Sequence, residues 1–163
     1  NLKYSFSFYY DPFNVGYVAV DSLNEIIYGG RKLHTYINLL SANYLFTENM
    51  RISLVGRHYW NTGVYRKFFA ITDDGSYDPN YDYSNNHDFS YNAFNIDLVY
   101  TWIFSPGSQL TFAYKNSIED ETIFSNSKFG KNFSTTLNAP QTNSLSLKLL
   151  YFLDYLYLKR KNS

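Results

Sequence analysis

His34, His58 and His87 are the only imidazoles in this 163-residue chain, so a general base or a metal ligand would be sought among them first. Nucleophilic catalysis needs such a base within hydrogen-bonding reach of a hydroxyl or thiol, with a carboxylate to orient it. No spacing in the sequence assembles a Ser–His–Asp set or an Asp–His pair. His34 and His58 fall inside strand-like segments, and His87 precedes Asp88 in the acidic stretch 72–90, TDDGSYDPNYDYSNNHDFS. That stretch also carries Asp73, Asp74, Asp78 and Asp82. Oxygen-rich loops can bind calcium, but this spacing matches no defined calcium loop. Its tyrosines and amides offer rings to stack on a sugar and polar groups to bond its hydroxyls. Asp74, Tyr77, Tyr81, Tyr83 and His87 are therefore the ligand-binding candidates, in what is otherwise a solvated surface connection. No catalytic residue, metal site or cofactor is expected.

The elements that hold these residues are strands. Aromatics form 21% of the chain, with 18 Tyr and 14 Phe, and charged residues only 17%, against about a quarter in ordinary globular domains. Fourteen basic side chains balance fourteen acidic ones, which argues against a nucleic-acid partner. The absence of cysteine removes disulfide frameworks and thiolate zinc sites. No run approaches the roughly 18 apolar residues of a membrane helix. The chain opens at Asn1 without a basic or apolar leader, so any secretory signal is expected upstream or removed.

Apolar residues recur with period two. Leu2, Tyr4, Phe6, Phe8 and Tyr10 share a face, as do Phe94, Ile96, Leu98, Tyr100, Trp102 and Phe104. So do Leu110, Phe112 and Tyr114, and finally Leu145, Leu147, Leu149, Tyr151 and Leu153. A two-residue turn at Glu48-Asn49 would pair Leu45 with Ile52, Leu39 with His58 and Ile37 with Trp60. Arg51 and Arg57 then share a face with Asn38, and His58 faces outward near a strand end. A three-residue loop, Pro106-Gly107-Ser108, would pair Phe104 with Leu110 and Trp102 with Phe112. Residues 72–90 and about 118–141 read as long polar loops. Tight turns at one end and long polar loops at the other are the pattern of outer-membrane β-barrels.

The expected fold is therefore all-β, an antiparallel transmembrane β-barrel with about six strands here. Barrels of this kind start at eight strands, so either the segments split into eight or more short strands or the chain is the C-terminal part of a larger barrel, the reading preferred here. Residues 1–153 would supply the strands and 154–163, with Lys159-Arg160-Lys161, a periplasmic tail. Trp60, Trp102, Phe104 and Tyr151 suit interfacial girdles. A charge facing lipid at mid-membrane costs about 2–4 kcal/mol, so Arg51, Arg57, Asp97, Lys115 and Lys148 are assigned to the lumen. Leu147, Leu149, Tyr151 and Leu153 form a candidate assembly signal for the barrel-insertion machinery.

An ordered set of short motifs carries a resemblance across almost the whole chain. They are Asn14-Val15-Gly16-Tyr17-Val18, Gly29-Gly30-Arg31 with Asn38 and Tyr44-Leu45-Phe46, and Arg57-His58-Tyr59-Trp60. Asn92-Ala93-Phe94-Asn95-Ile96-Asp97, Trp102-Ile103-Phe104-Ser105-Pro106-Gly107-Ser108 and Asn143-Ser144-Leu145-Ser146-Leu147-Lys148 complete the set. The chain resembles an uncharacterised Bacteroidota-type outer-membrane family. Its members join an N-terminal domain like a family 9 carbohydrate-binding module to a large C-terminal barrel of unknown function. The resemblance implies that this chain is about the last third of such a barrel, and it brings no catalytic residues. The expected function is a structural or transport-associated barrel linked to surface glycan handling, or a subunit of a larger envelope complex. The alternative is a barrel hydrolase acting at the cell surface. Expected partners are outer-membrane lipid and lipopolysaccharide, the insertion machinery and other outer-membrane proteins.

Overall fold

The computed structural model describes every residue except 22–23, 73, 79–81, 124–127 and 154–163. Its strands are β1 (Leu2–Val20), β2 (Ile26–Thr47), β3 (Met50–Ile71), β4 (Tyr77–Asp78), β5 (Phe89–Ser105), β6 (Ser108–Ile123) and β7 (Gln141–Leu150), with one helix, α1 (Phe129–Leu137). All seven strands belong to one antiparallel sheet ordered β1-β2-β3-β5-β6-β7, with the short β4 paired to the end of β3. The sheet is open. β1 and β7 are its edges, so each leaves one side of its backbone outside the ladder. The fold is thus all-β, as its alternation requires.

Two-residue turns at Glu48-Asn49 and Pro106-Gly107 lie at one end of the sheet. The connections after β1, β3 and β6 lie at the other. Gly107 takes φ of +75°, which a residue with a Cβ adopts only at a cost. Each tight hairpin also carries a bulge on its incoming strand. Thr47 pairs with Met50 but Leu45 with Arg51, and Ser105 pairs with Ser108 but Ile103 with Gln109. The residues left over are Phe46 and Phe104.

These bulges correct both expected registers. In the first hairpin the extra residue shifts the pairing by one, so Asn38 lies opposite His58 and Leu39 opposite Arg57. A one-residue shift turns a strand over. Arg51 and Arg57 therefore share a face with Leu39 and Leu45, not with Asn38. In the second hairpin Trp102 pairs with Leu110 and Tyr100 with Phe112. That displacement is two residues, one from the bulge at Phe104 and one because Ser108 pairs with Ser105 and does not lie in the expected three-residue loop, and it leaves the faces unchanged. The sheet registers bring all four clearly alternating segments onto one face: Tyr4 by Leu40, Leu54 by Leu98, Leu98 by Tyr114 and Tyr114 by Leu145. This is the apolar face. The other, the polar face, carries Lys3, Arg57, Asp97, Lys115 and Ser144.

Three further expectations are revised. The long loop read into 118–141 is β6 as far as Ile123 and then α1, because Phe129 and Phe133 repeat at helical spacing. Residues 72–90 include β4, since Tyr77 and Asp78 complete the ladder beside Ile71 and Ala70. Strand β7 stops at Leu150, opposite Gln109, where β6 has one residue left to pair; the Phe152 amide instead donates to Ser108 Oγ at 3.0 Å. Tyr151 and Leu153 are thus exposed beyond the strand. The tail 154–163 lies outside the described residues.

The sheet is a single layer. Among the described residues the buried apolar side chains are Ile27, Trp60, Phe69, Ala70 and Ile118. The chain exposes 11884 Å², against about 8,400 Å² for a compact soluble chain of this size. Leu2, Tyr4 and Phe6 on β1 and Leu145, Leu147 and Leu149 on β7 are all more than half exposed.

Helix α1 covers part of the apolar face, packing on β5 and β6. Phe129 and Phe133 meet His58 edge-on at 5.7 and 5.1 Å, and Phe133 meets Phe94 at 5.6 Å. Asn132 and Asn92, both buried, exchange side-chain hydrogen bonds of 2.7 and 3.2 Å. Thr135 and Thr136 hydroxyls donate to the carbonyls of Lys131 and Asn132, and Pro140 follows the helix. His58 and Trp60 are consequently in mid-strand under the helix, 4% exposed each, not at a strand end. Trp60 Nε1 donates to Ser90 Oγ at 2.9 Å.

Replacing Asn132 by Ala leaves the Asn92 amide buried without its partner, at a cost of about 1–3 kcal/mol. The expected outcome is release of α1 with the sheet retained. Faster amide exchange in residues 128–138, with β5 and β6 protection unchanged, is the readout. Unchanged protection of the helix would show that the amide pair does not hold it.

Candidate functional site: an arginine-centred aromatic cleft

On the polar face, toward the long connections, β2, β3, β5 and β6 form a cleft of about 480 Å³. Arg31, Tyr59, Asn61, Tyr65, His87, Phe89, Tyr91 and Glu121 line it. Strand alternation sends these side chains to one side: Arg31 stands opposite Tyr65, Gly63 opposite Phe89, and Tyr91 opposite both Asn61 and Glu121.

Arg31 is at its centre. The guanidinium carbon lies 5.4 Å from the Tyr65 ring centre and 5.6 Å from that of Phe89, within the range of cation–π attraction. Nε donates to Asn14 Oδ1 at 2.8 Å, and Nη1 donates to the Tyr65 hydroxyl at 2.6 Å. The ion pairs among the described residues are Arg57–Asp97 and Lys115–Asp97, so no carboxylate there neutralises Arg31.

Two glycines create the room. A Cβ on Gly63 would sit 2.2 Å from Phe89 Cε1, and one on Gly29 would sit 2.5 Å from Tyr65 Cδ1. Both distances are far inside van der Waals contact. The rings lie flat over bare backbone and present their faces to the arginine. Beside them Tyr83 and His87 stack at 5.6 Å with a 2.6 Å bond between the Tyr hydroxyl and Nε2. Asp88 fixes the approach of this loop by accepting the Tyr65 backbone N–H at 2.7 Å. Aromatic faces, a guanidinium, an amide, an imidazole and a carboxylate around one hollow suit a ligand with an apolar ring face and many hydroxyls.

Of the four loop candidates among the described residues, only His87 lines this cleft, with Tyr83 supporting it. Asp74 caps a separate turn. It accepts from the Thr72 hydroxyl at 2.5 Å, the Ser76 backbone N–H at 3.0 Å and the Ser76 hydroxyl at 2.7 Å. Those donors hold its carboxyl down at about 2. Tyr77 packs edge-on against Phe69 at 4.5 Å. Tyr81 lies outside the described residues. The other histidines are occupied otherwise: His34 stacks on Phe8 and Tyr10, and His58 lies under α1.

The five charges assigned to a lumen fall on the polar face together. Arg57 Nη1 meets Asp97 Oδ2 at 2.6 Å, and Lys115 Nζ lies 3.7 Å from Asp97 Oδ1. Arg51 stands opposite Leu45 and Thr101, and Lys148 opposite Thr111. Arg57 is half exposed, so in water this triad contributes only about 0–1 kcal/mol.

Reasoning from the strands alone missed Arg31, Tyr65 and Phe89 as a site. The signal was present as Gly29-Gly30-Arg31 and Gly63, glycines in strand interiors that mark close approach. Tyr77, Tyr81 and Tyr83 are conspicuous because they cluster in one polar stretch, whereas Arg31, Tyr65 and Phe89 come from three separate strands that only the ladder registers bring together.

Gly63→Ala should displace Phe89 from Arg31 and destabilise the fold by about 1–3 kcal/mol in equilibrium unfolding. Gly130→Ala, in α1 with nothing near its would-be Cβ, should be neutral or stabilising by up to about 1 kcal/mol. Equal effects would mean that the stacked layer is not a close-packed unit. A second outcome concerns the Asp74 turn. Because its folded value lies below that of the unfolded carboxylate, the stabilisation is complete above about pH 4 and fades as pH falls through about 2. A carbon-detected titration of the Asp74 carboxyl should give that midpoint, and Thr72→Val should move it upward.

No curated protein and no solved structure matches this sequence. A family model described as a domain of unknown function (DUF5916) matches residues 1–162, and the chain accordingly belongs to that family.

Proposed function

We propose that this chain is part of the wall of an outer-membrane β-barrel, with the apolar face toward lipid and the polar face toward the lumen. The observation that carries this reading is the chemical contrast between the two faces of an uncovered single-layer sheet. In water, the Leu and aromatic band from β1 to β7 would be an apolar patch far beyond the few hundred Å² that soluble monomers tolerate. Against lipid it needs no cover. The tight turns at one end and the longer connections at the other then match periplasmic and extracellular sides. Free edges on β1 and β7 would be satisfied by further strands, because hydrocarbon does not tolerate an open edge.

On this reading the Arg57–Asp97–Lys115 triad lines the lumen, and the Arg31 cleft stands at its extracellular mouth. There it would contact a ring-bearing, hydroxyl-rich solute such as a glycan. The role is transport-associated, linked to surface glycan handling, and no catalytic step is assigned to any residue.

The test uses two lysine substitutions on neighbouring residues of β7 in the full chain, expressed in an outer-membrane-bearing host. Leu147→Lys places a charge on the apolar face, at a cost of about 2–4 kcal/mol if that face meets lipid near mid-membrane. Ser146→Lys places the same charge on the polar face. The expected result is heat-modifiable protein in the outer-membrane fraction for the wild type and Ser146→Lys, with strong loss for Leu147→Lys. Wild-type protein confined to the soluble fraction, or equal tolerance of both lysines, would sink the reading.

A further inference from the structure

Arg31 enters the cleft as a cation with no ion pair among the described residues. Nε and one Nη1 hydrogen are engaged by Asn14 Oδ1 and the Tyr65 hydroxyl. A guanidinium carries five N–H donors. One hydrogen on Nη1 and both on Nη2 therefore have no protein acceptor among the described residues. Gly16 makes room for Nη2, since a Cβ there would stand 2.9 Å from it. The Arg31 side chain is half-buried on the cleft wall, as are those of Tyr65, His87 and Phe89.

Asp11 and Glu121 do not neutralise it. Asp11 on β1 accepts from the Phe13 amide at 3.0 Å and from Asn14 Nδ2 at 3.2 Å. It thereby turns the Asn14 oxygen toward Arg31 and reaches the guanidinium only through that amide. Glu121 is exposed on β6, three strand spacings from β2 and so roughly 14 Å across the sheet.

The same sign continues along the polar face. Between the cleft and the tight turns its strands carry Lys3, Arg51, Arg57, Lys115 and Lys148, against Asp97 alone among the described residues. Such a surface attracts anions and raises their local concentration. Two independent features thus point to one charge: the guanidinium in the cleft and the basic band below it.

We propose that the cleft binds an acidic sugar. Its carboxylate meets the terminal nitrogens of Arg31, its ring lies against Tyr65 and Phe89, and its far hydroxyls donate to Glu121. A neutral sugar would use the rings and leave the guanidinium without a counter-ion. A cationic sugar would be repelled by Arg31 and by the basic band. The acid group belongs on the ring itself, because the guanidinium carbon lies only 5.4 and 5.6 Å from the two aromatic ring centres. The inference rests on the reading of the cleft as a site for a hydroxyl-rich ring.

The full chain, folded in a non-ionic detergent and checked by heat-modifiable migration, is titrated with D-glucuronate, D-glucuronamide and D-glucosamine. Saturation-transfer NMR at low salt reads the binding. Glucuronate and glucuronamide differ only in the acid group. The wild type should bind glucuronate roughly tenfold tighter than the amide, and added salt should shrink that advantage. Arg31→Gln, or Arg31→Met as a second removal, should bring the two to equal affinity. Phe89→Leu should weaken both together and leave their ratio unchanged. Equal affinity of the wild type for glucuronate and glucuronamide overturns the acid group and leaves the sugar reading standing. A preference that survives in the folded Arg31 variants overturns the site in favour of the basic band, and tighter glucosamine binding overturns the charge of the ligand. No binding of any of the three overturns the sugar reading and this inference with it, while the paired lysines on β7 test the barrel wall separately.

Discussion

The structure depends on one constraint: a single antiparallel layer must satisfy its backbone through strand pairing, because it has almost no core to bury it in. Five long ladders link six strands in chain order, and each residue added to a ladder brings one side chain to one face. Where a soluble sandwich would cover one face with a second sheet, the described residues cover this sheet only under α1 and beside Tyr65, where Tyr83 and His87 pack. Apolar burial, ordinarily the dominant favourable contribution to folding, has to come from the surroundings. The exposed Leu and aromatic band is the surface on which that burial would occur.

The two faces answer the constraint differently. On the polar face, charges are gathered where they can be paired, as at Arg57, Asp97 and Lys115, and Arg31 is held by two rings, Asn14 and the Tyr65 hydroxyl. Gly29 and Gly63 cost the strands some stability through backbone entropy. In return they let Tyr65 and Phe89 lie flat around Arg31. On the apolar face, the polar groups of the upper half are used up locally. Asn92 with Asn132 and Trp60 with Ser90 let α1 dock where the band gives way to amides and hydroxyls.

The internal likeness of the two tight hairpins shows why register was the hardest feature to read. Tyr44-Leu45-Phe46-Thr47 and Trp102-Ile103-Phe104-Ser105 precede the two turns in the same order, and in both the phenylalanine is the extra residue. Period-two reasoning has no place for an extra residue, so it aligned each hairpin from the turn outward. A shift of two did no harm at Phe104. A shift of one at Phe46 turned β2 over and moved Asn38 from Arg57 to His58. The helix escaped for a related reason: Phe129, Phe133 and Thr136 repeat at helical spacing over too few residues to stand out in a polar stretch.

The sequence alone determined the strand class, the positions of both tight turns and the parity of every clean strand. Each of these follows from local chemistry, the pleat or the turn residues themselves. The placement of Arg51, Arg57, Asp97, Lys115 and Lys148 on a common face was legible too, because charges avoid the apolar side of each strand independently. Only the tertiary structure decided which residues meet across strands. Arg31 with Tyr65 and Phe89, His58 beneath Phe129 and Phe133, and Asn92 with Asn132 join residues 34 to 75 positions apart, through registers set by bulges and by a helix folded back on the sheet. Such contacts depend on summed ladder offsets, and a single extra residue anywhere in a hairpin changes them all.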